Sequence, residues 1–160
     1  MNGRGADALD RLTENGMRED GTTETGSLRS LVLGARDAAY APYSGFRVGA
    51  GLEAVDGRCF VGCNVENASY SVTMCAERVA LGAAIVAGAR EFRRIYLVTD
   101  SLESVAPCGM CRQALAELSP ELEVESESGR GEVARWTLSG LLPERFALQS
   151  ASGTARGAAR

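Results

Sequence analysis

From residue 27 onward the apolar positions fall into two rhythms. Leu28, Leu31, Val32, Ala35 and Ala39 recur at helical spacing behind Ser27, a candidate cap. They predict a helix from 27 to about 40, ended by Pro42. The run 46–52 then reads as a strand, Asp56-Gly57 as a hairpin turn and 59–62 as the partner strand. A polar loop covers 64–73, and an alanine-rich apolar segment predicts a helix over 75–87, closed by Gly88. Ile95-Tyr96-Leu97-Val98-Thr99 is continuously apolar up to its last residue, the mark of a strand buried on both faces. A further helix is predicted over 108–118, stopping before Pro120, then strands over 122–125 and 133–137 and a helical turn near 138–142. A hairpin followed by alternating helices and strands implies a mixed sheet with helices packed on it.

Composition narrows the class. The chain of 160 residues is long enough for one domain with a real core. Residues 1–25 are rich in Gly, Thr, Glu and Arg without apolar period and read as a disordered extension, with Met17 an alternative start. Residues 26–148 form the predicted domain, and 149–160 a flexible tail. A net charge of −4 with no basic run argues against a nucleic-acid surface. The first thirty residues lack a secretion-type apolar segment, and no stretch is long enough to span a membrane, so the expected location is cytoplasmic. Every basic side chain is Arg, which carries no functional weight.

The chain has five cysteines and no histidine, so a metal site must use thiolates and carboxylates. An odd number of cysteines without sign of secretion favours metal over disulfides. Cys75-Ala76-Glu77-Arg78 opens one predicted helix and Pro107-Cys108-Gly109-Met110-Cys111 another. Cys108 and Cys111 face one side of a first helical turn. Cys75 at a helix start can join them beyond the helix end, where unpaired backbone N–H groups favour thiolates. Three thiolates leave the fourth zinc position for water, with Glu77 placed to carry protons. Spacing alone is equally compatible with a closed structural zinc, completed by Cys63 or Cys59.

Cys-Ala-Glu followed by Pro-Cys-x-x-Cys resembles the zinc-dependent cytidine deaminases. The resemblance extends to Tyr43-Ser44-Gly45-Phe46-Arg47-Val48-Gly49-Ala50, to Gly62-Cys63-Asn64-Val65-Glu66-Asn67-Ala68-Ser69-Tyr70 and to Leu141-Leu142-Pro143-Glu144-Arg145-Phe146. It covers about 27–148 in consistent order. It implies a three-layer α/β/α fold around a mixed, about five-stranded sheet. It also implies one zinc per subunit on Cys75, Cys108 and Cys111, with Glu77 as proton carrier and Arg78 hydrogen-bonding the thiolates. The reaction implied is hydrolysis of cytidine and deoxycytidine to the uracil nucleosides and ammonia, in pyrimidine salvage. By the same resemblance Asn64 and Glu66 hold the ribose 3′-hydroxyl, Phe46 packs on the nucleoside, and Ala68, Tyr70 and Phe146 reach a neighbour's site in a homotetramer. Deaminases of other aminopyrimidines, such as blasticidin S, share the cysteines, but the whole loop from Asn64 to Tyr70 favours a nucleoside. A noncatalytic zinc protein would have no use for Glu77. Gly49 and Gly51 are expected to allow close strand packing, and Cys59 and Cys63 to be structural.

Overall fold

The computed structural model describes residues 25–148. The predicted extension up to residue 24 and the predicted tail lie outside the described residues. The elements are α1 (Thr25–Asp37), β1 (Val48–Ala54), β2 (Cys59–Cys63), a 3-10 turn (Tyr70–Val72), α2 (Ala76–Val86), β3 (Phe92–Thr99), α3 (Gly109–Ala116), β4 (Glu123–Glu127), β5 (Val133–Thr137) and α4 (Leu138–Leu141). The strands form one five-stranded sheet in the order β2-β1-β3-β4-β5. Only β3 and β4 run parallel, joined by the crossover through α3. The expected mixed α/β sheet is therefore present.

Alternation along β1 and β3 divides the core in two. Ala50, Leu52, Ile95 and Leu97 face Ala76, Ala80, Ala84, Leu115 and Leu138 on the side of α2, α3 and α4. Tyr96 and Val98 face Leu28 and Val32 of α1 on the other side. Burial on both faces explains why β3 reads as an unbroken apolar run. Gly49 and Gly51 do allow a close approach, but to a helix and not to a strand. A Cβ on Gly49 would lie 2.3 Å from Val32 O, and one on Gly51 2.5 Å from Val32 Cγ2. An ion pair also pins α1 to the sheet: Arg29 donates through Nε and Nη2 to Glu127 at 2.7 and 2.6 Å, and Tyr96 Oη donates to the same carboxylate.

Several boundaries move for identifiable reasons. Helix α1 begins at Thr25, ahead of Ser27, and ends at Asp37, short of residue 40. Tyr40 has another role: its N–H donates to Asn64 O at 3.1 Å and its carbonyl accepts from Glu66 N at 2.8 Å. Phe46 and Arg47 stay outside β1, because the Asn64 amide bonds Phe46 O and Val48 N and so holds the backbone on either side of Arg47. Strand β4 runs on through Ser126 and Glu127, polar residues that pair in parallel with Leu97 and Val98.

Candidate metal centre and active site

The two cysteine motifs sit where sequence spacing predicts, at helix starts, but each leading cysteine is the N-cap itself. Cys75 (φ −74°, ψ 150°) precedes α2 and Cys108 (φ −64°, ψ 160°) precedes α3, and neither side chain caps its helix. Both thiols are thus free to turn outward beside unpaired N–H groups. Cys111 lies one turn into α3 and is buried. The three Sγ atoms lie within 4.8 Å of one another. Cys75 and Cys108 are 3.8 Å apart, and Cys108 and Cys111 3.5 Å. A tetrahedral zinc with Zn–S bonds of about 2.3 Å requires sulfur–sulfur edges of about 3.8 Å. The donor set fits zinc in both kind and spacing. Cys59 and Cys63 lie on β2 and do not join the cluster, so among the described residues no fourth thiolate closes it.

The electrostatics mark the cluster as anionic. The Cys75 thiol is pulled down to about 5, first by a hydrogen bond from Cys111, then by Cys108 and the charge of Arg78. Cys111, giving that bond from a buried position, is pushed well up. Arg78 donates through Nη2 to Thr73 O at 2.8 Å, while its Nε is buried without a partner among the described residues. An orphaned guanidinium N–H beside thiols suits a site that gains negative charge when all three ionise. Glu77, in the first turn of α2, is only 5 % exposed. Burial raises its pKa first, the Cys75 thiolate adds to the rise, and a hydrogen bond from Cys111 opposes it. A buried carboxylate with a raised pKa beside a metal-binding cluster is suited to taking up and returning protons.

The α2 start is fixed from below by Gly62 on β2. A Cβ there would lie 2.5 Å from both Ala76 O and Ala80 N, so only glycine lets the first turn of α2 rest on the sheet. On the other side, Val65 and Met74 exchange backbone hydrogen bonds of 2.9 Å each. The residue just before Cys75 is thereby tied to the loop that carries Asn64 and Glu66.

Asn64 and Glu66, both buried, brace the segment leading into β1. Asn64 Nδ2 donates to Phe46 O at 2.8 Å, and its Oδ1 accepts from Val48 N at 2.9 Å. Glu66 accepts from Tyr43 N at 2.9 Å, Ser44 N at 3.2 Å and the Ser44 hydroxyl, which lowers its pKa, the hydroxyl most of all. The amide keeps one N–H and one lone pair, and the carboxylate keeps lone pairs, so both can still meet a ligand hydroxyl. Phe46 is 38 % exposed, with its N–H donated to Ser44 Oγ at 3.0 Å. Ala68, Tyr70 and Phe146 lie on exposed segments, and among the described residues no hydrogen bond joins them to the thiols.

Three side chains of this region are not singled out by the sequence. Ser44 orients Glu66. Arg112 donates through Nε to Pro107 O at 2.7 Å and through Nη1 to Leu141 O at 3.0 Å. Gln113 bonds both backbone groups of Phe146. Apart from Pro107, their partners lie 22 to 33 residues away, and only their place within or beside the Tyr43–Ala50 and Cys108–Cys111 motifs offers a signal.

Residues 24–124 match the family model described as the cytidine and deoxycytidylate deaminase zinc-binding region. The cytidine deaminase of Sporosarcina psychrophila is 43 % identical over 119 residues, 74 % of this chain and 88 % of that protein. That of Halalkalibacterium halodurans is 47 % identical over 113 residues, 70 % of this chain and 86 % of that protein. The crystal structure of cytidine deaminase from Burkholderia pseudomallei superposes with a TM-score of 0.74 at 46 % identity, covering 78 % of this chain and all of that one. With a thiol triad spaced for zinc, a buried carboxylate beside it and a matched region that includes both, the chain belongs to the zinc-binding cytidine and deoxycytidylate deaminase family.

Proposed function

We propose that this chain hydrolyses the C4 amine of cytidine and deoxycytidine, giving the uracil nucleosides and ammonia. The observation that carries this reading is the buried, raised-pKa Glu77 beside three thiols at zinc spacing. Cys75, Cys108 and Cys111 hold the metal. Zinc bound there supplies Lewis acidity, the means of making water nucleophilic at neutral pH. Glu77 Oε accepts one proton as water attacks C4 and passes it to ring N3, then takes the second from the new C4 hydroxyl and gives it to the departing amine. One water is consumed and one ammonia released, and Glu77 returns to its starting state. The guanidinium of Arg78 lies beside the Cys75 thiolate and draws it down, and burial around Glu77 excludes competing solvent.

Asn64 and Glu66 offer donor and acceptor to the sugar 3′-hydroxyl, and Phe46 packs on the nucleoside. None of these groups addresses the 2′-hydroxyl, so both sugars react. Tyr70 and Phe146, 71 % and 68 % exposed, are large rings left in water by a single chain. That exposure supports a homotetramer in which Ala68, Tyr70 and Phe146 complete a neighbour's site. The net charge of −4 favours a small nucleoside over a polynucleotide. Among the described residues no helix is long and apolar enough to cross a membrane. A thiolate site keeps its metal best under reducing conditions, in keeping with a cytoplasmic enzyme of pyrimidine salvage.

The test is the ultraviolet absorbance change on mixing purified protein with cytidine or deoxycytidine, with and without a zinc chelator. Conversion of both, stopped by chelation and restored by zinc, is expected. No conversion by folded, zinc-loaded protein would refute the activity, and a large difference in kcat/KM between the two nucleosides would refute the sugar contacts assigned above.

A further inference from the structure

We propose that Gln113 is a positioning residue that aims Phe146 at the active site of a second copy of this chain. The inference rests on the reading of Phe146 given above and adds what holds that ring in place. Gln113 Nε2–H donates to Phe146 O at 2.9 Å, and Gln113 Oε1 accepts from Phe146 N–H at 3.0 Å. One flat side-chain amide therefore pairs with both backbone groups of one residue, as a neighbouring strand would. Such a pair fixes the rotation of the main chain as well as its position, and so sets the direction in which the ring leaves.

The surroundings make a purely stabilising role a poor explanation. Among the described residues, all hydrogen bonds to the segment 143–148 come from Gln113. Phe146 is 68 % exposed and Leu148 86 %. Ordering a glutamine to hold a ring that its own chain leaves in water gains little apolar burial. It gains a defined direction if the ring is received elsewhere. The residues next to Gln113 tie this arrangement to the metal centre. Cys111 is two positions earlier on α3, and between them Arg112 links Pro107 O, just before Cys108, to Leu141 O at the end of α4. Helix α3 thus holds two thiols for its own site and, through Arg112 and Gln113, the segment that serves another.

The experiment compares Gln113→Leu, Gln113→Glu and Phe146→Ala with the unmodified enzyme. It measures zinc content, kcat and KM for cytidine, and turnover of oligomers co-expressed with the inactive Glu77→Gln chain. Gln113→Leu removes both bonds. Gln113→Glu keeps the size but places a carboxylate against Phe146 O, and so serves if the leucine variant does not fold. Both are expected to keep one zinc per chain and to raise KM about tenfold, the scale of one lost aromatic contact, with a smaller change in kcat. In mixed oligomers the Glu77→Gln chain supplies a correctly held Phe146, so part of the activity should return with near-normal KM. A defect that mixing does not repair, or one accompanied by zinc loss, would assign Gln113 to its own site and overturn the proposal. So would normal KM in both Gln113 variants beside an impaired Phe146→Ala. A normal KM in Phe146→Ala would overturn the reading of Phe146 and this inference with it.

Discussion

At the residue scale the site depends on groups whose ordinary chemistry is changed by a few neighbours. Burial and the Cys75 thiolate act together on Glu77, while the Cys111 thiol first, then Cys108 and Arg78, draw Cys75 down to about 5. Glu66 is held the other way, kept ionised mainly by the Ser44 hydroxyl. Replacing Ser44 by alanine removes one charge-assisted bond to that carboxylate and the acceptor for Phe46 N–H. It should raise KM for cytidine about tenfold, from the usual worth of such a bond, and leave zinc content unchanged. Steady-state kinetics and metal analysis check this, and an unchanged KM would remove Ser44 from the account. The thiols, Glu77 and Arg78 were legible in the sequence because each motif, 75–78 and 108–111, is a compact group at a helix start, and their union across the 33 residues between Cys75 and Cys108 followed from ligand chemistry and the family resemblance. Ser44 and Gln113 were not, since their partners Glu66 and Phe146 lie 22 and 33 residues away and no local period marks such a pair.

At the scale of elements, the position of α2 rests on one missing side chain. A Cβ on Gly62 would lie 2.5 Å from the backbone at Ala76 and Ala80, so Gly62→Ala must push the turn that bears Cys75, Glu77 and Arg78. A loss of about 1–3 kcal/mol of stability is expected, together with weaker zinc retention against a chelator. Full stability with normal zinc retention would show that the contact is not limiting. Helix α1 offers a pH test through Glu127. Its folded pKa lies below the ordinary 4.5, because Arg29 and then Tyr96 donate to it. The stabilisation is therefore complete above the unfolded value and disappears as pH falls through the folded one. Glu127→Gln should cost about 1–2 kcal/mol at pH 7, with Arg29 half-exposed, and its difference from wild type should shrink in denaturant melts as pH drops below 4.5. A gap independent of pH would contradict the assignment. The hydrophobic pattern located all five strands and the four helices of the described residues. It missed the extent of β4, since Ser126 and Glu127 are polar yet buried. It placed the end of α1 too late, since Tyr40 is drawn away by backbone bonds to Asn64 and Glu66 that no helical period reveals.

At the scale of the whole molecule, α3 serves the metal cluster of its own chain and, in the proposed assembly, the site of a neighbour. Helix α3 and the C-terminal segment it holds present Phe146 outward, while the same helix supplies Cys108 and Cys111 to its own metal. Activity should accordingly depend on assembly. Dilution below the point at which light scattering shows dissociation is expected to raise KM, whereas isolated chains with full affinity for cytidine would contradict composite sites. What the sequence could show at this scale was limited, because an exposed Phe146 and a core phenylalanine look alike until the fold is known. The central claim is that a buried Glu77 carries the protons of a zinc-dependent deamination. It is tested most directly by the kcat of zinc-loaded Glu77→Gln with cytidine, measured beside its metal content. One zinc per chain with turnover reduced by at least about 10²–10⁴-fold is the predicted result. Turnover near that of wild type at full zinc occupancy would contradict it.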